Sequence, residues 1–215
     1  MKFLTNSKRY SKVLNTMVML VIAGIFTMTS YSCNVLNTLS DIQRLQFKLG
    51  QVNGFQLAGV PLSNLTSFNN IGAIDIVRLT SAFANGSLPA GFTLNVLARN
   101  PAGTNGQTSQ NNSSTIQRFA WKLLINNAET VSGTINQQIV VPGMGNQTTI
   151  PVAVNVDLMQ FFRNQGLQNL VNLALNLGGA NRTTSNLKMV ADVDVNVLGV
   201  TIPLNNLTIV DTDFH

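Results

Sequence analysis

Apolar and polar residues alternate with a period of two over most of the chain from Leu45 onward, which is the pattern of strands that bury one face. The alternation begins at 45–49 and continues at Phe55 and Leu57 after Asn53-Gly54, which we interpret as a turn. Further strands are predicted at 74–79, 92–98, 119–125, 135–141, 150–156, 189–197 and 200–209. Short strands separated by Gly, Pro and Asn predict a mainly β domain, an antiparallel Greek-key β-sandwich of the immunoglobulin or fibronectin-III kind.

The segment 157–177 departs from this pattern, because its apolar residues recur at helical spacing. These residues are Leu158, Phe161, Phe162, Leu170, Val171 and Ala174. Asp157 is suited to the N-cap, Gly178-Gly179 to the helix end, and Gly166 is a weak point between them. We expect one α-helix at about 157–177 that covers an open end or face of the sandwich. The alternatives are a lid over an apolar ligand and a membrane-facing helix, whose basic face is missing because only Arg163 is charged.

The first 32 residues have the three parts of a bacterial export signal. A basic segment, 2–12, precedes an apolar stretch, 13–29, and the small residues Ser30 and Ser32 stand beside the expected cleavage site. A transmembrane anchor is the competing interpretation. Against it, the apolar stretch of about 17 residues is at the lower limit for a membrane-spanning helix and contains Asn15 and Thr16. The sequence therefore predicts a lipoprotein signal peptide at 1–32.

Cys33 is the only cysteine of the chain, so it has no partner for an intramolecular disulfide. With Ser30-Tyr31-Ser32 before it, Cys33 resembles the lipobox cysteine of bacterial lipoproteins, and an ordinary free cysteine is the other interpretation. We predict lipid attachment at Cys33, a lipidated tether at 33–43 and a folded domain at 44–215. Asn34, directly after the cysteine, favours an outer-membrane location with the domain facing the periplasm.

The formal net charge of +5 does not indicate nucleic-acid binding, because the excess of positive charge lies in the signal segment. Four of the 13 basic residues and no acidic residue precede Cys33, which leaves nine basic residues against eight acidic ones. Those nine are scattered without a basic run, unlike the basic stripes of nucleic-acid-binding proteins. Only 10% of all residues are charged, against roughly 25% in an average globular protein, so neutral polar side chains must supply most of the polar surface.

Three short motifs carry a resemblance to a known family. They are Leu57-Ala58-Gly59-Val60, then Ala98-Arg99-Asn100-Pro101, then Leu124-Ile125-Asn126-Asn127 followed by Val131-Ser132-Gly133. In this order they resemble the LEA14-like, water-stress and hypersensitive-response (WHy) domain over about residues 44–210. The resemblance implies a Greek-key sandwich with one helix, a desiccation-related, stress-protective role and no catalytic residues.

The sequence offers few residues for catalysis or metal binding. His215, the last residue, is the only histidine, so no interior Ser-His-Asp or Cys-His arrangement can form. We predict that the protein is not an enzyme and uses no cofactor. The remaining candidates are Asp192, Asp194, Asp211 and Asp213, whose oxygens could contribute to a calcium site or belong to a solvated strand face.

Three functions remain open at this point. The first is a membrane-anchored, non-enzymatic envelope lipoprotein with a structural, stress-protective or protein-interaction role, in contact with other envelope proteins. The second is a binding module for an apolar or amphipathic small molecule held in the sandwich or under the helix. The third is a carbohydrate-binding or adhesion module. It is the least favoured, because after Cys33 the chain has no tyrosine and only Trp121, which lies on the apolar phase of its strand.

Overall fold

The computed structural model describes residues 45–100, 113–143, 145–181, 183–197 and 199–211. They form two antiparallel β-sheets packed together with a few helices, so the predicted mainly β sandwich is confirmed. The predicted signal peptide at 1–32 and the tether at 33–43 lie outside the described residues.

Sheet A contains four strands: β1 (Gln46–Leu57), β2 (Val60–Pro61), β3 (Pro89–Arg99) and β7 (Gln147–Asp157). Their order is β2-β1-β3-β7, and all neighbours are antiparallel. The register places Gln46, Arg99 and Gln147 side by side, and we call this the N-terminal end of sheet A. The opposite end, where Leu57 pairs with Ala90, is called the distal end.

Sheet B contains five strands: β4 (Ser114–Ile125), β5 (Ala128–Ile135), β6 (Ile139–Val141), β8 (Leu187–Val197) and β9 (Val200–Ile209). Their order is β5-β4-β8-β9, and β6 pairs with the first residues of β4. The connections after β3, β6 and β7 pass from one sheet to the other. This sequence of crossings is that of an immunoglobulin-type Greek-key sandwich.

The core lies between the two sheets and is made by the inward phase of each alternating strand. In β3 and β8, every second residue is buried, and Leu94 and Val193 have no exposed surface. Phe55 of β1 and Phe92 of β3 are stacked with ring centroids 5.0 Å apart. Side chains from both sheets therefore fill the space between them, as the strict alternation of the sequence predicts.

The strand predicted at 74–79 is wrong, because this segment lies in helix α1 (Ala73–Ala84). Leu79 is buried, and the half-buried Ile76 and Phe83 lie three residues before it and four after it, on the same helical face. The apolar residues at 74 and 76 fit a period of two as well as a helix, and six residues are too few to separate the two patterns.

The single helix predicted at 157–177 is also wrong in extent, because the segment forms two helices. They are α2 (Leu158–Phe161) and α3 (Leu167–Gly178), and Gly166 is the N-cap of α3 rather than an interior residue. Asp157 is the N-cap of α2, as predicted, and its carboxylate accepts a hydrogen bond from the Met159 backbone N–H. The helical pattern was correct, but the weak point at Gly166 is where the second helix begins.

The turn predicted at Asn53-Gly54 is wrong as well, since β1 runs without interruption from Gln46 to Leu57. Its register against β3 shifts twice, between Leu49 and Val52 and again between Asn53 and Gln56. Gly54 has a φ of 64°, which glycine adopts without strain, and this positive φ allows the second bulge. The Asn-Gly pair therefore marks an irregularity inside one strand.

Candidate functional site

Cys33, the predicted lipid attachment site, lies outside the described residues and stays a prediction. The described chain starts at Leu45, which is buried, and enters sheet A at Gln46, at the N-terminal end. The described chain therefore enters sheet A at the end opposite to Leu57 and Asp157. In the part of the chain that the structure describes, no helix is long and apolar enough to cross a membrane.

The carboxylate of Asp157, at the distal end, accepts three hydrogen bonds. Its Oδ1 accepts hydrogen bonds from the backbone N–H groups of Leu88, at 2.8 Å, and Met159, at 3.0 Å. Its Oδ2 accepts one from the Ser87 hydroxyl at 2.7 Å. Burial raises the pKa of Asp157, but these three hydrogen bonds together outweigh burial, so the pKa lies below its ordinary value. The carboxylate joins the start of β3 to the end of β7, which is a structural role.

Beside Asp157, an open cleft of about 600 Å³ lies at the distal end of the sandwich, and we call it the distal cleft. It is lined by Gln56, Gly59, Pro89, Ala90, Gly91, Thr130, Val131, Asn155, Val156, Asp157, Gln160 and Phe161. The register places Gln56, Gly91 and Asn155 next to one another on three adjacent strands. Because Gly91 has no side chain, it leaves a depression between the two amides, and a Cβ there would lie 3.1 Å from Asn155 Oδ1.

Neutral groups dominate the surface of the distal cleft. The side chains of Gln56, Asn155 and Gln160 are exposed and accept or donate no hydrogen bond within the described part of the chain. Phe161 is an exposed aromatic residue, with 37% of its surface accessible. Asp157 is the one charged residue among the lining residues, and its carboxylate already accepts three hydrogen bonds. The cleft thus combines free amides with an aromatic surface.

A second open cleft, of about 690 Å³, lies beside the first bulge of β1. Lys48 and Gly50 line it from β1, Asn95 from β3, and Thr184 and Asp211 from the chain that flanks β8 and β9. Thr184 donates a hydrogen bond from its hydroxyl to Asp211 Oδ2, and Leu49 N donates to Val210 O at 3.1 Å. These bonds hold the last described residues against β1, so this cleft borders a structural contact.

Ile74 and Val77 of α1 are the most exposed large apolar residues among those described, at 78% and 68%. They are three residues apart and therefore lie on the same side of the helix, away from the buried Leu79. A surface helix normally presents polar residues to solvent, so two exposed β-branched side chains on one face are unusual.

The three candidate calcium carboxylates that the structure describes are each engaged by another group of the protein. Asp192 Oδ1 accepts a hydrogen bond from Asn206 N at 2.8 Å, and Asp194 binds Arg118, with 2.7 Å between Arg118 Nε and Asp194 Oδ2. Asp211 is bonded to Thr184 instead, while Asp213 and His215 lie outside the described residues. Over the described ranges, no three His, Cys, Asp or Glu side chains are grouped so that they could hold a metal ion.

Trp121 is a core residue, as its position on the apolar phase of β4 predicts. Only 6% of its surface is exposed, and its indole ring covers Gly133 of the neighbouring β5 so closely that a Cβ at position 133 would be 2.6 Å from Cζ2. Trp121 is therefore not a platform for a sugar. The exposed aromatic residue of the distal end, Phe161, was assigned by the sequence pattern to a buried helical stripe.

The comparisons with known proteins add little to this geometry. No family model matches the chain, and no curated protein matches it either. A solved structure of a protein from Archaeoglobus fulgidus is similar at a TM-score of 0.28 and 9% identity, over 54% of this chain and 81% of that chain. This distant likeness assigns the chain to no family.

Sequence reasoning missed the distal cleft altogether. Gln56, Gly91 and Asn155 are each an ordinary outward residue of a strand, and only the register of three strands brings them together. The one local signal is a glycine within an alternating strand, because an isolated glycine there often marks a close approach by another group.

Proposed function

We propose that the protein is a membrane-anchored, non-enzymatic lipoprotein of the bacterial envelope, with a LEA14-like sandwich that acts by contact with other envelope components. The observation that carries the proposal is the position of Cys33, the sole cysteine, directly after a basic and apolar leader. Eleven residues, 34–44, separate it from the first described residue, and they span at most about 40 Å when extended. The lipid would thus keep the N-terminal end of sheet A within about 40 Å of the membrane.

The surface of sheet A supports a role in contact rather than in catalysis. Arg99 and Asp157 are charged outward residues at opposite ends of β3 and β7. The outward residues between those ends are uncharged and include Thr93, Asn95, Thr149, Ala153 and Asn155. Asn and Thr side chains hydrogen-bond without adding net charge, so such contacts should depend only weakly on salt. The exposed Ile74 and Val77 add a small apolar surface at the distal end.

The alternative, an apolar or amphipathic small molecule held in the sandwich or under the helix, has less support. Inward side chains fill the space between the sheets, and α3 packs directly on β1: a Cβ at Gly178 would be 2.1 Å from Phe55 Cβ. The two clefts described above are open to solvent. Native mass spectrometry of the purified chain tests this alternative, since the mass of a co-purifying small molecule would support it.

The anchor is tested by the denaturing intact mass of the protein extracted from membranes, next to a Cys33→Ala variant. We expect a chain that begins at Cys33 and carries the mass of a diacylglyceryl group, with an additional acyl chain if the amine is also modified. Stable anchoring needs at least two acyl chains, so the Cys33→Ala variant should be lost from the membrane fraction. An unmodified chain cleaved at another position would contradict the anchor.

The contact role is tested by exposing intact envelopes to low or to high salt, cross-linking them under the same condition and then recovering the protein with its partners. We expect the same cross-linked partners under both conditions, because the surface that makes the contacts is neutral. Loss of all partners at high salt would contradict a contact made by uncharged groups, even if the lipid anchor is present.

A further inference from the structure

The distal cleft contains three side-chain amides that make no hydrogen bond within the described part of the chain. Gln56, Asn155 and Gln160 are exposed and each carries one carbonyl acceptor and two N–H donors. Gln56 and Asn155 lie on either side of the depression at Gly91, so a ligand resting on Gly91 is within reach of both. Paired amides of this kind suit a ligand that has both donors and acceptors, such as hydroxyl and acetamido groups.

Phe161 supplies the apolar part of the same cleft. It is an exposed phenylalanine at the end of α2, and the half-buried Val131 of β5 also lines the cleft. An aromatic ring beside polar groups recognises a ligand that is apolar on one face and polar at its rim. The pyranose ring of a sugar, with its C–H face and its ring of hydroxyls, has this character.

Charge narrows the ligand class further. Among the described residues that line the cleft, Asp157 alone is ionisable, and its carboxylate accepts bonds from Leu88 N, Met159 N and Ser87 Oγ. None of these described lining residues is a lysine or arginine that could bind a phosphate or a carboxylate. This lining favours a neutral ligand over an acidic one.

From this combination we propose that the distal cleft binds a neutral glycan that carries N-acetyl groups, with a sugar ring on Phe161 and its acetamido group between Gln56 and Asn155. The choice of an N-acetylated glycan over other neutral glycans rests on the proposed envelope function, since glycans with N-acetylated amino sugars are a building material of bacterial cell walls. The lipid at the N-terminal end and the cleft at the distal end would then link the membrane to the glycan.

The test is a titration of the full chain, isotopically labelled and held in detergent micelles, with tetra-N-acetylchitotetraose. Binding is followed by the backbone amide resonance of Gly91 and the side-chain amide resonance of Asn155. We expect saturable shifts of these resonances. Phe161→Ala and Asn155→Ala should each weaken binding about three- to tenfold, as expected for the loss of one aromatic contact or of one hydrogen-bonding group.

Gly91→Val is the sharpest variant, because it fills the depression between the amides. The added side chain meets Asn155 Oδ1, the mobile end of a side chain, and valine is well suited to a strand, so the variant should fold. We expect its affinity to fall at least about tenfold, the equivalent of roughly 1.4 kcal/mol. Gln147→Ala is the matched control: it removes an exposed amide from the same face of β7, at the N-terminal end, and should leave the affinity unchanged.

Three outcomes would overturn the proposal. One is the absence of saturable shifts at Gly91 and Asn155. Another is binding that survives both Gly91→Val and Phe161→Ala. The third is equal or stronger binding of maltotetraose, which lacks N-acetyl groups, or of a neutral Ser-Asn-Gly-Gln peptide. The mass of the chain at Cys33 is measured independently, so a failure of glycan binding is distinguishable from a failure of the lipid anchor.

Discussion

Helices α1 and α3 are both twelve residues long, yet their relation to the core differs greatly. In α3, six residues are buried: Leu170, Val171, Ala174, Leu175, Leu177 and Gly178. In α1 only Leu79 is buried, and Ile74 and Val77 point their apolar side chains into solvent. Helix α3 is therefore largely enclosed by the fold, whereas α1 packs on the core through Leu79 and three half-buried residues and exposes Ile74 and Val77. The number of apolar residues in a helix does not show how many of them are buried in the core.

The largest expected effect on stability is that of Gly178→Val in α3, the helix that packs closely on β1. A Cβ at this position would lie 2.1 Å from both Cβ and Cγ of Phe55, which is buried and stacked on Phe92 and so cannot move aside. We expect a loss of about 3 kcal/mol or more in the free energy of unfolding, measured by chemical denaturation.

Gly166→Ser is the matched control, a glycine substitution at the other end of the same helix. Nothing lies within 4 Å of a Cβ at Gly166, and serine is a favoured N-cap residue. The variant should be as stable as the parent chain or slightly more stable. If Gly178→Val were equally harmless, the close contact between α3 and β1 would be refuted.

Leu79→Ala tests how firmly α1 is attached to the core. Removal of a fully buried leucine side chain should cost about 2–3 kcal/mol, but the loss should be local because α1 has no other fully buried residue. In hydrogen exchange, the amides of α1 should lose protection while those of β3 and β8 keep theirs. Equal loss of protection in all three elements would show that α1 is as integral to the sandwich as α3.

Asp157→Ala removes the junction that precedes α2 and should cost about 1–2 kcal/mol at neutral pH, because it loses an N-cap and the bond to Leu88 N. The pKa of Asp157 is lowered on folding, so its stabilising contribution is complete above the ordinary pKa of about 3.9 and is lost as pH falls through the lower, folded-state pKa.

The difference in unfolding free energy between the parent chain and Asp157→Ala should therefore shrink as the pH is lowered below about 4. Asp157→Asn serves as the control, since its amide oxygen can still accept from Leu88 and Met159 but does not titrate. A difference between the parent chain and Asp157→Ala that stays constant down to pH 2 would contradict the role of the ionised carboxylate.

The smallest effect on stability is expected for the double variant Ile74→Ser, Val77→Ser. Both side chains are mostly exposed, so the change in unfolding free energy should be within about 0.5 kcal/mol for each site. If the free face of α1 contributes to contacts in the envelope, the same variant should reduce the yield of cross-linked partners. A large loss of stability would show instead that this face is covered within the fold.

The sequence predicts the sandwich well wherever alternation is long and strict. The patterns at 92–98 and 189–197 became β3 and β8, and Asp157 is the helix N-cap that its position indicated. The failures occurred where a short pattern fits two structures, as at Ile74 and Ile76, or where one helical pattern is divided between two helices, as before Gly166. The anchor at Cys33 stays a prediction.

The candidate binding site could not be predicted because it has no local sequence pattern. Asn155 lies between Val154 and Val156, Gly91 between Ala90 and Phe92, and each reads as an outward strand position. Their proximity depends on the pairing of β3 with β7, which lie some 60 residues apart in the chain. The whole fold determines which strands pair when they lie so far apart, and no sequence motif predicts the pairing.

The direction of β1 has a mechanical consequence for a chain that is held at both ends of the sandwich. β1 runs from the N-terminal end to the distal end, and it pairs with β3 from Gln46–Arg99 to Leu57–Ala90. Tension between a lipid before β1 and a ligand at the distal end would act along this strand, so the hydrogen bonds to β3 would be loaded in shear. The bonds of each regular stretch between the two bulges would share this load, and the bond from Leu49 to Val210 ties the same strand to the residue after β9. The resistance of the sandwich to such a pulling force would then depend on its unfolding rate and not on its equilibrium stability.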